Sequence, residues 1–302
     1  MGHKNKKSLV FQVEEIMDSK LKIGCSRYDD KKRGVADQYI YSYGTYRTYL
    51  KHNIYFVKWC KEQYGCKTVR ECEPYIIDWI DSRRNLSPYT LKMELAALAK
   101  LYGKSSEEFH VSTPARKMEN ITRSRGSKER DKHFSEERHA DLITFCRCTG
   151  LRRSELSALR GNKLKEQDGQ YFIIVDSGSK GGKYREAPII GSPKEIETVL
   201  QLMQKAGNDK VFPIIPSAAD IHGYRAEYAG RVYRSVARKI SDIPYDSTNA
   251  GTGKRYQGGV YVCRNGRKGK KMDKTAMDAV SRALGHNRIC VVGEHYLWTD
   301  DE

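Results

Sequence analysis

Along the first third of the chain, apolar positions return every three or four residues. Tyr46, Tyr49, Leu50, Ile54, Val57 and Cys60 do so between residues 45 and 64, the spacing that gathers side chains on one face of a helix. Gly44 and Gly65 bracket that run, and a glycine just past the last apolar position predicts the helix stop. Residues 8–20 predict a short helix and residues 74–84 another. Ser87-Pro88 offers an N-cap with proline at the first helical position, leading through Leu91, Leu95, Leu98 and Leu101 to Gly103. Residues 24–34 (GCSRYDDKKRG) read as an exposed basic loop.

The pattern then changes twice. Residues 112–133 (STPARKMENITRSRGSKERDKH) are polar, strongly basic and almost without apolar positions, which predicts a linker. From residue 134 helical and alternating patterns mix. Ser135-Glu136-Glu137 opens a helix through Leu142, Ile143 and Phe145 to Gly150, and residues 154–159 predict another. Residues 171–175 (YFIIV) predict a strand, residues 184–190 (YREAPII) its partner, and Gly181-Gly182 supplies the turn. Helices are predicted over 192–206, 217–240 and 273–284, with a small hairpin over 260–272. The expected fold is mostly α with small antiparallel β elements, an α+β class. It comprises a helical domain over 1–111, the linker 112–133, and a second domain over 134–302 carrying an inserted loop and hairpin near 242–272.

Charge sharpens this picture. The chain of 302 residues has 55 Lys and Arg against 38 Asp and Glu, a formal net charge of +17. Such an excess favours a polyanionic partner, above all nucleic acid. The 8 cysteines include no CxxC pair and read as reduced thiols, neither a disulfide framework nor a zinc site. No apolar run approaches the roughly 20 residues needed to span a bilayer, and the N-terminal stretch lacks a secretory apolar segment. The expectation is a cytoplasmic protein without a membrane partner. Gly251-Thr252-Gly253-Lys254-Arg255 lacks the glycine spacing and the Ser or Thr of a phosphate loop. No carboxylates cluster with metal-ligand spacing, so no cofactor and a metal-independent reaction are expected.

Six residues carry the candidate chemistry. Arg152 follows Thr149-Gly150-Leu151 at a helix-to-helix junction, where its guanidinium could bind two phosphate oxygens or be a plain surface arginine. Glu155 either buttresses it or caps the following helix. Lys180 and Lys183 sit at the tip of the 171–190 hairpin, and the lysine before Gly181-Gly182 is the preferred general acid; a solvated charged turn is the alternative. His222 and Arg225, three apart, share a helix face. His286 follows a helix-ending glycine, and Tyr296 lies in GEHYLW beyond it. His295 competes for the acid–base role.

Each signal alone is weak, but their order is specific. TGLRRSEL, SKGGKYREAPI, HGYR, and LGHNR followed by HYL resemble the catalytic motifs of the tyrosine recombinase (phage integrase) family, with integrases of bacterial mobile elements the nearest in pattern. The resemblance spans about residues 134–300, and the first half matches only in pattern and position. It implies that Arg152, Lys180, His222, Arg225 and His286 surround a scissile phosphate and that Tyr296 is the nucleophile. It further implies double-stranded DNA attachment sites as partner, a homotetramer on DNA, an accessory directionality factor, and integration or excision of a mobile element through a 3′-phosphotyrosyl intermediate.

The sequence departs from the family in the long interval between Arg225 and His286, which holds RYQGGVYVCRNGRKGKK. That stretch reads as an inserted basic loop and hairpin touching DNA or another protomer. Other readings stay open at this stage: a type IB topoisomerase-like relaxing enzyme, a catalytically idle DNA-binding regulator, and a basic RNA-binding protein.

Overall fold

The computed structural model describes residues 7–116, 134–179, 182–243, 259–264, 267–286 and 288–297. The chain divides into two compact units, residues 1–120 and 121–302. The class is α+β: helices dominate and the sheets are small and antiparallel.

The first unit is helical: α1 (Leu9–Asp18), α2 (Arg27–Lys32), α3 (Tyr43–Tyr64), α4 (Val69–Cys72), α5 (Ile76–Ser82) and α6 (Pro88–Tyr102). The long helices start and stop where their ends can be satisfied. Ser42 and Ser87 accept the N–H groups of Thr45 and Thr90, and Gly65 and Gly103 end α3 and α6 in the left-handed conformation, which glycine adopts without steric cost. The apolar stripe of α3 (Phe56, Val57, Cys60) packs with Trp79, Ile80, Leu91, Leu95 and Leu98 into one core. Glu94 is buried in this unit. It is held by both Nε and Nη2 of Arg83, at 2.8 and 2.7 Å, and faces His52 Nδ1 at 3.1 Å.

Two expectations for this unit need correction. Residues 24–34 are not a simple loop, because Arg27–Lys32 forms α2, capped by the Ser26 side chain on Asp29 N–H. Its acidic first turn and basic last turn complement the helix dipole. The helix expected over 74–84 is shorter: a 3-10 turn at Glu73–Tyr75 precedes α5, and proline within that turn removes a donor the α ladder would need.

The second unit contains α7 (Ala140–Thr149), α8 (Arg153–Ala158), β1 (Leu164–Gln167), β2 (Gln170–Val175), β3 (Arg185–Pro188), α9 (Pro193–Ala206), α10 (Ile221–Val236), β4 (Val260–Val262), β5 (Lys271–Asp273), α11 (Lys274–Ala283) and α12 (Ile289–His295). The first sheet is a meander, β1-β2-β3, and pairs Ile173 with Ala187 and Val175 with Arg185. Strand β1 escaped the sequence reading because LKEQ has no apolar alternation. It exists by pairing with β2. The hairpin expected over 260–272 is β4 paired with β5, Val260 opposite Asp273. The helix expected over 217–240 begins later, where the Asp220 side chain caps Gly223 N–H.

Two apolar clusters fill this unit. One gathers Leu142, Phe145, Leu151, Leu156, Ile173, Val199 and Met203. The other gathers Tyr228, Val232, Met272, Met277, Val280, Leu284, Val292, Tyr296 and Leu297 around α10, α11 and α12. Gly150, which ends α7 with φ +59, is required twice over: a Cβ there would stand 2.1 Å from the Tyr228 ring. Most of the linker (117–133) and the basic stretch 244–258 lie outside the described residues.

Candidate active site

Arg152 is the N-cap residue of α8. Its backbone N–H donates to Glu155 Oε2 at 2.7 Å, and its guanidinium to Glu155 Oε1 at 2.7 Å. The two readings of Glu155 are therefore both realised: it caps the helix and holds the arginine. Its carboxylate also receives two parallel hydrogen bonds from Arg185 on β3, at 2.7 and 2.8 Å. Burial alone would raise this carboxyl. The Arg185 hydrogen bonds and charge, joined by Arg152, overcome it and hold the group down to about 2, so Glu155 is ionised.

Arg185 was not singled out from the sequence, yet it ties three elements together. Besides Glu155 on α8, its Nε donates to Ala283 O at the end of α11, at 3.1 Å. That carbonyl lies three residues before His286. No local signal marks an arginine in KYREAPI as buried, because its partners are far away in sequence.

Arg225, on the second turn of α10, is fully buried. It donates to Gly150 O and to Leu284 O, joining the α7 end to the α11 end. Its Nε has no partner among the described residues. Burial lowers its guanidinium to about 10, with the Tyr296 phenol pulling the other way; it stays charged at neutral pH.

His286 follows α11. Its N–H donates to Ser281 O at 2.8 Å. Its ring stands 5.2 Å from the Tyr296 ring, tilted by 51°, and its buried Nε2 has no partner among the described residues. Burial first, then the positive charges of Arg225, Arg152 and Arg185, push the imidazole down to about 4, so it is neutral at pH 7. Tyr296 ends α12, is 6% exposed, and has Arg225 5.6 Å from its ring centroid.

The structure thus brings Arg152, Arg225, His286 and Tyr296 together, with Glu155 and Arg185 supporting them. His222 sits at the exposed start of α10 while Arg225 is buried, so two residues three apart differ sharply in environment. Lys180 lies outside the described residues. Lys183 is exposed, and its carbonyl accepts from Ser179 Oγ at 2.8 Å. The root of that loop is pinned to α8: Ser154 Oγ donates to Gly178 O at 2.7 Å. A Cβ at Gly178, where φ is +69, would meet Ser154 O at 2.4 Å, so only glycine permits the approach. Among the described residues, no group of three His, Cys, Asp or Glu is placed to hold a metal ion, and no helix is long and apolar enough to cross a membrane.

The arrangement offers two arginines beside a buried phenol, with an Nε–H donor and an imidazole nitrogen left open. Such a set can hold a tetrahedral anion and bring a hydroxyl nucleophile against it.

No protein-family model matches the sequence, and no curated protein matches it significantly. Solved structures do match in fold. The chain is similar to the XerH site-specific recombinase bound to a palindromic difH substrate in a post-cleavage complex, with 14% identity over 97% of this chain and 94% of that one, at a TM-score of 0.54. It also matches the Tn1549 transposon integrase in complex with circular intermediate DNA, with 13% identity over 94% of each chain and a TM-score of 0.47. The likeness to XerH shows the fold: this chain has the tyrosine-recombinase fold.

Proposed function

We propose that this chain is a site-specific DNA recombinase that cleaves and rejoins duplex DNA through Tyr296. One observation carries the reading. In a chain with this fold, Arg225 Nε and His286 Nε2 are buried without partners among the described residues, beside Tyr296. Buried polar atoms are almost always satisfied, and a phosphodiester would satisfy both.

Arg152 and Arg225 hold the non-bridging phosphate oxygens and neutralise the charge that grows on them in the transition state. The Tyr296 oxygen attacks phosphorus, forming the 3′-phosphotyrosyl bond as the bond to the 5′-oxygen breaks. Lys180 gives the leaving 5′-oxygen its proton, and His222 takes the proton of the tyrosine. His286, being neutral, donates one hydrogen bond to the phosphate. A 5′-hydroxyl from a partner duplex then attacks the phosphotyrosyl bond and releases Tyr296. The covalent link conserves the bond energy, so no nucleotide cofactor is needed.

The partner is double-stranded DNA at the attachment sites of a mobile element, and the working assembly is four protomers on two duplexes, aided by an accessory directionality factor. The excess positive charge fits this partner, and binding weakens steeply with salt because phosphate contacts release counterions. Residues 112–133 serve as the linker between a DNA-binding domain and the catalytic one.

The test uses nicked duplexes from the ends of the element that encodes this chain, resolved on denaturing gels. A covalent protein–DNA band that persists with chelator and vanishes in Tyr296→Phe supports the reading. Tight, salt-sensitive binding without a band on any end sequence overturns it in favour of an idle regulator.

A further inference from the structure

The hairpin β4–β5 stands between Arg225 and His286 in sequence, and the reaction above gives it no task. Its base is fixed. Asp273, wholly buried, receives Arg238 Nε and Nη2 at 2.8 and 2.9 Å, and Lys274 N–H donates to Gly259 O at 2.8 Å. Met272 and Cys263 enter the same apolar cluster as Tyr296.

From its far end the hairpin reaches α12. The half-buried Arg267 donates from Nη1 to Gly293 O at 3.3 Å and to Leu297 O. These carbonyls lie on either side of Tyr296 in sequence. Carbonyls at a helix C-terminus lack intrahelical donors, and a cation there complements the dipole. The contact is also steric: a Cβ at Gly293 would stand 3.0 Å from Met277 Cε and 3.5 Å from Cys263 Sγ, so α12 packs closely on side chains of α11 and of the residue that follows β4.

Helix α12 has only 7 residues, too few to hold itself in place, since isolated helices shorter than about 12 residues are marginal. Where Tyr296 stands is therefore decided by what grips α12.

We propose that the β4–β5 hairpin is a clamp on the tyrosine helix, with Arg267 as the positioning residue that holds Tyr296 against Arg225 and His286. The catalytic half of this proposal rests on the reading of Tyr296 as the nucleophile; the mechanical half does not. Arg267 touches no reacting atom. It acts through the backbone on both sides of the phenol, and a misplacement of about 1 Å at a reacting group costs on the order of a hundredfold in rate.

Two measurements on the full chain test it, with Arg267→Ala and Arg267→Lys. Hydrogen exchange reads the clamp without any DNA. In Arg267→Ala the amides of residues 289–297 exchange at least about tenfold faster, as loss of charge-assisted hydrogen bonds implies, while those of α10 keep their wild-type rates. Single-turnover cleavage of the nicked duplex reads the consequence. The rate of covalent complex formation falls roughly tenfold or more in Arg267→Ala, DNA affinity stays within about twofold of wild type, and Arg267→Lys recovers part of the rate. Unchanged exchange in 289–297 would overturn the clamp. So would faster exchange across the whole unit with affinity and cleavage falling together, which marks general destabilisation. If wild type itself forms no covalent complex while Arg267→Ala still loosens 289–297 alone, the clamp stands and the nucleophile reading fails.

Discussion

Arg185 and Glu155 meet through two parallel hydrogen bonds of 2.7 and 2.8 Å, with side chains only 5% and 1% exposed. Because Arg152 shares the same carboxylate, this buried pair is the point from which the Arg152 guanidinium is oriented. Breaking a buried pair from one side leaves an uncompensated charge and costs about 3–5 kcal/mol. Arg185→Met is expected to lose most of that, read as a lower denaturant midpoint with an unchanged slope. Glu155→Leu is expected to cost at least as much, since it strands Arg185 and also takes the carboxylate from the Arg152 guanidinium and backbone N–H.

Acid should weaken the fold in two stages. The His286 pKa is depressed to about 4 by burial and neighbouring arginines, against about 6.5 in an unfolded chain. The unfolded state therefore binds the proton first. This contribution to stability is complete above about pH 6.5 and is lost as pH falls toward 4. Glu155, held at about 2, contributes stability that is complete above about pH 4.3 and is lost as pH falls toward 2. Urea midpoints measured from pH 7.5 to 3.5 should decline from about pH 6.5 in wild type, and His286→Asn should decline less steeply there, because His52, also lowered by burial, still titrates.

Gly150→Ala should be far more costly than Gly169→Ala. Both glycines have positive φ, but a Cβ at Gly150 would strike the Tyr228 ring at 2.1 Å while Gly169 has nothing within 4 Å. Backbone strain alone costs about 1 kcal/mol. Overpacking against a fully buried ring adds about 1–3 kcal/mol. Gly150 O also receives Arg225, so Gly150→Ala should slow covalent complex formation as well. Thermal melts of the two variants make the comparison.

Arg225→Lys should fail even though the charge is kept. The guanidinium reaches two carbonyls on different elements, Gly150 O and Leu284 O, while facing Tyr296. A single ammonium cannot reproduce that fork. Cleavage should fall by about a hundredfold or more, with DNA binding at low salt nearly retained, as a filter-binding titration alongside single-turnover cleavage would read.

Much of this was legible in the chain because it depends on local signals. The α3 and α6 helices, the 171–175 strand and the α9 helix each announce themselves by periodicity, caps and glycine stops. Of the six candidate residues, Arg152, Arg225, His286 and Tyr296 stand together in the fold. What escaped was non-local. Arg185 looks like any charged residue of a hairpin, and its burial arises from Glu155 and Ala283, which meet it only in the fold. Strand β1 has no apolar alternation, and α2 hides in a charged stretch whose own caps stabilise it. The contrast between exposed His222 and buried Arg225 is equally invisible to spacing, which assigns a face but not how deeply each residue on it sinks.

The most direct test of the central claim is the identity of the residue that carries DNA. Wild-type protein trapped on a nicked end-sequence duplex, digested with nuclease and trypsin and analysed by mass spectrometry, should show a nucleotide adduct on the peptide after Arg288, at Tyr296, joined through the 3′-phosphate. An adduct on another tyrosine, a 5′ linkage, or cleaved DNA without any adduct would contradict the account.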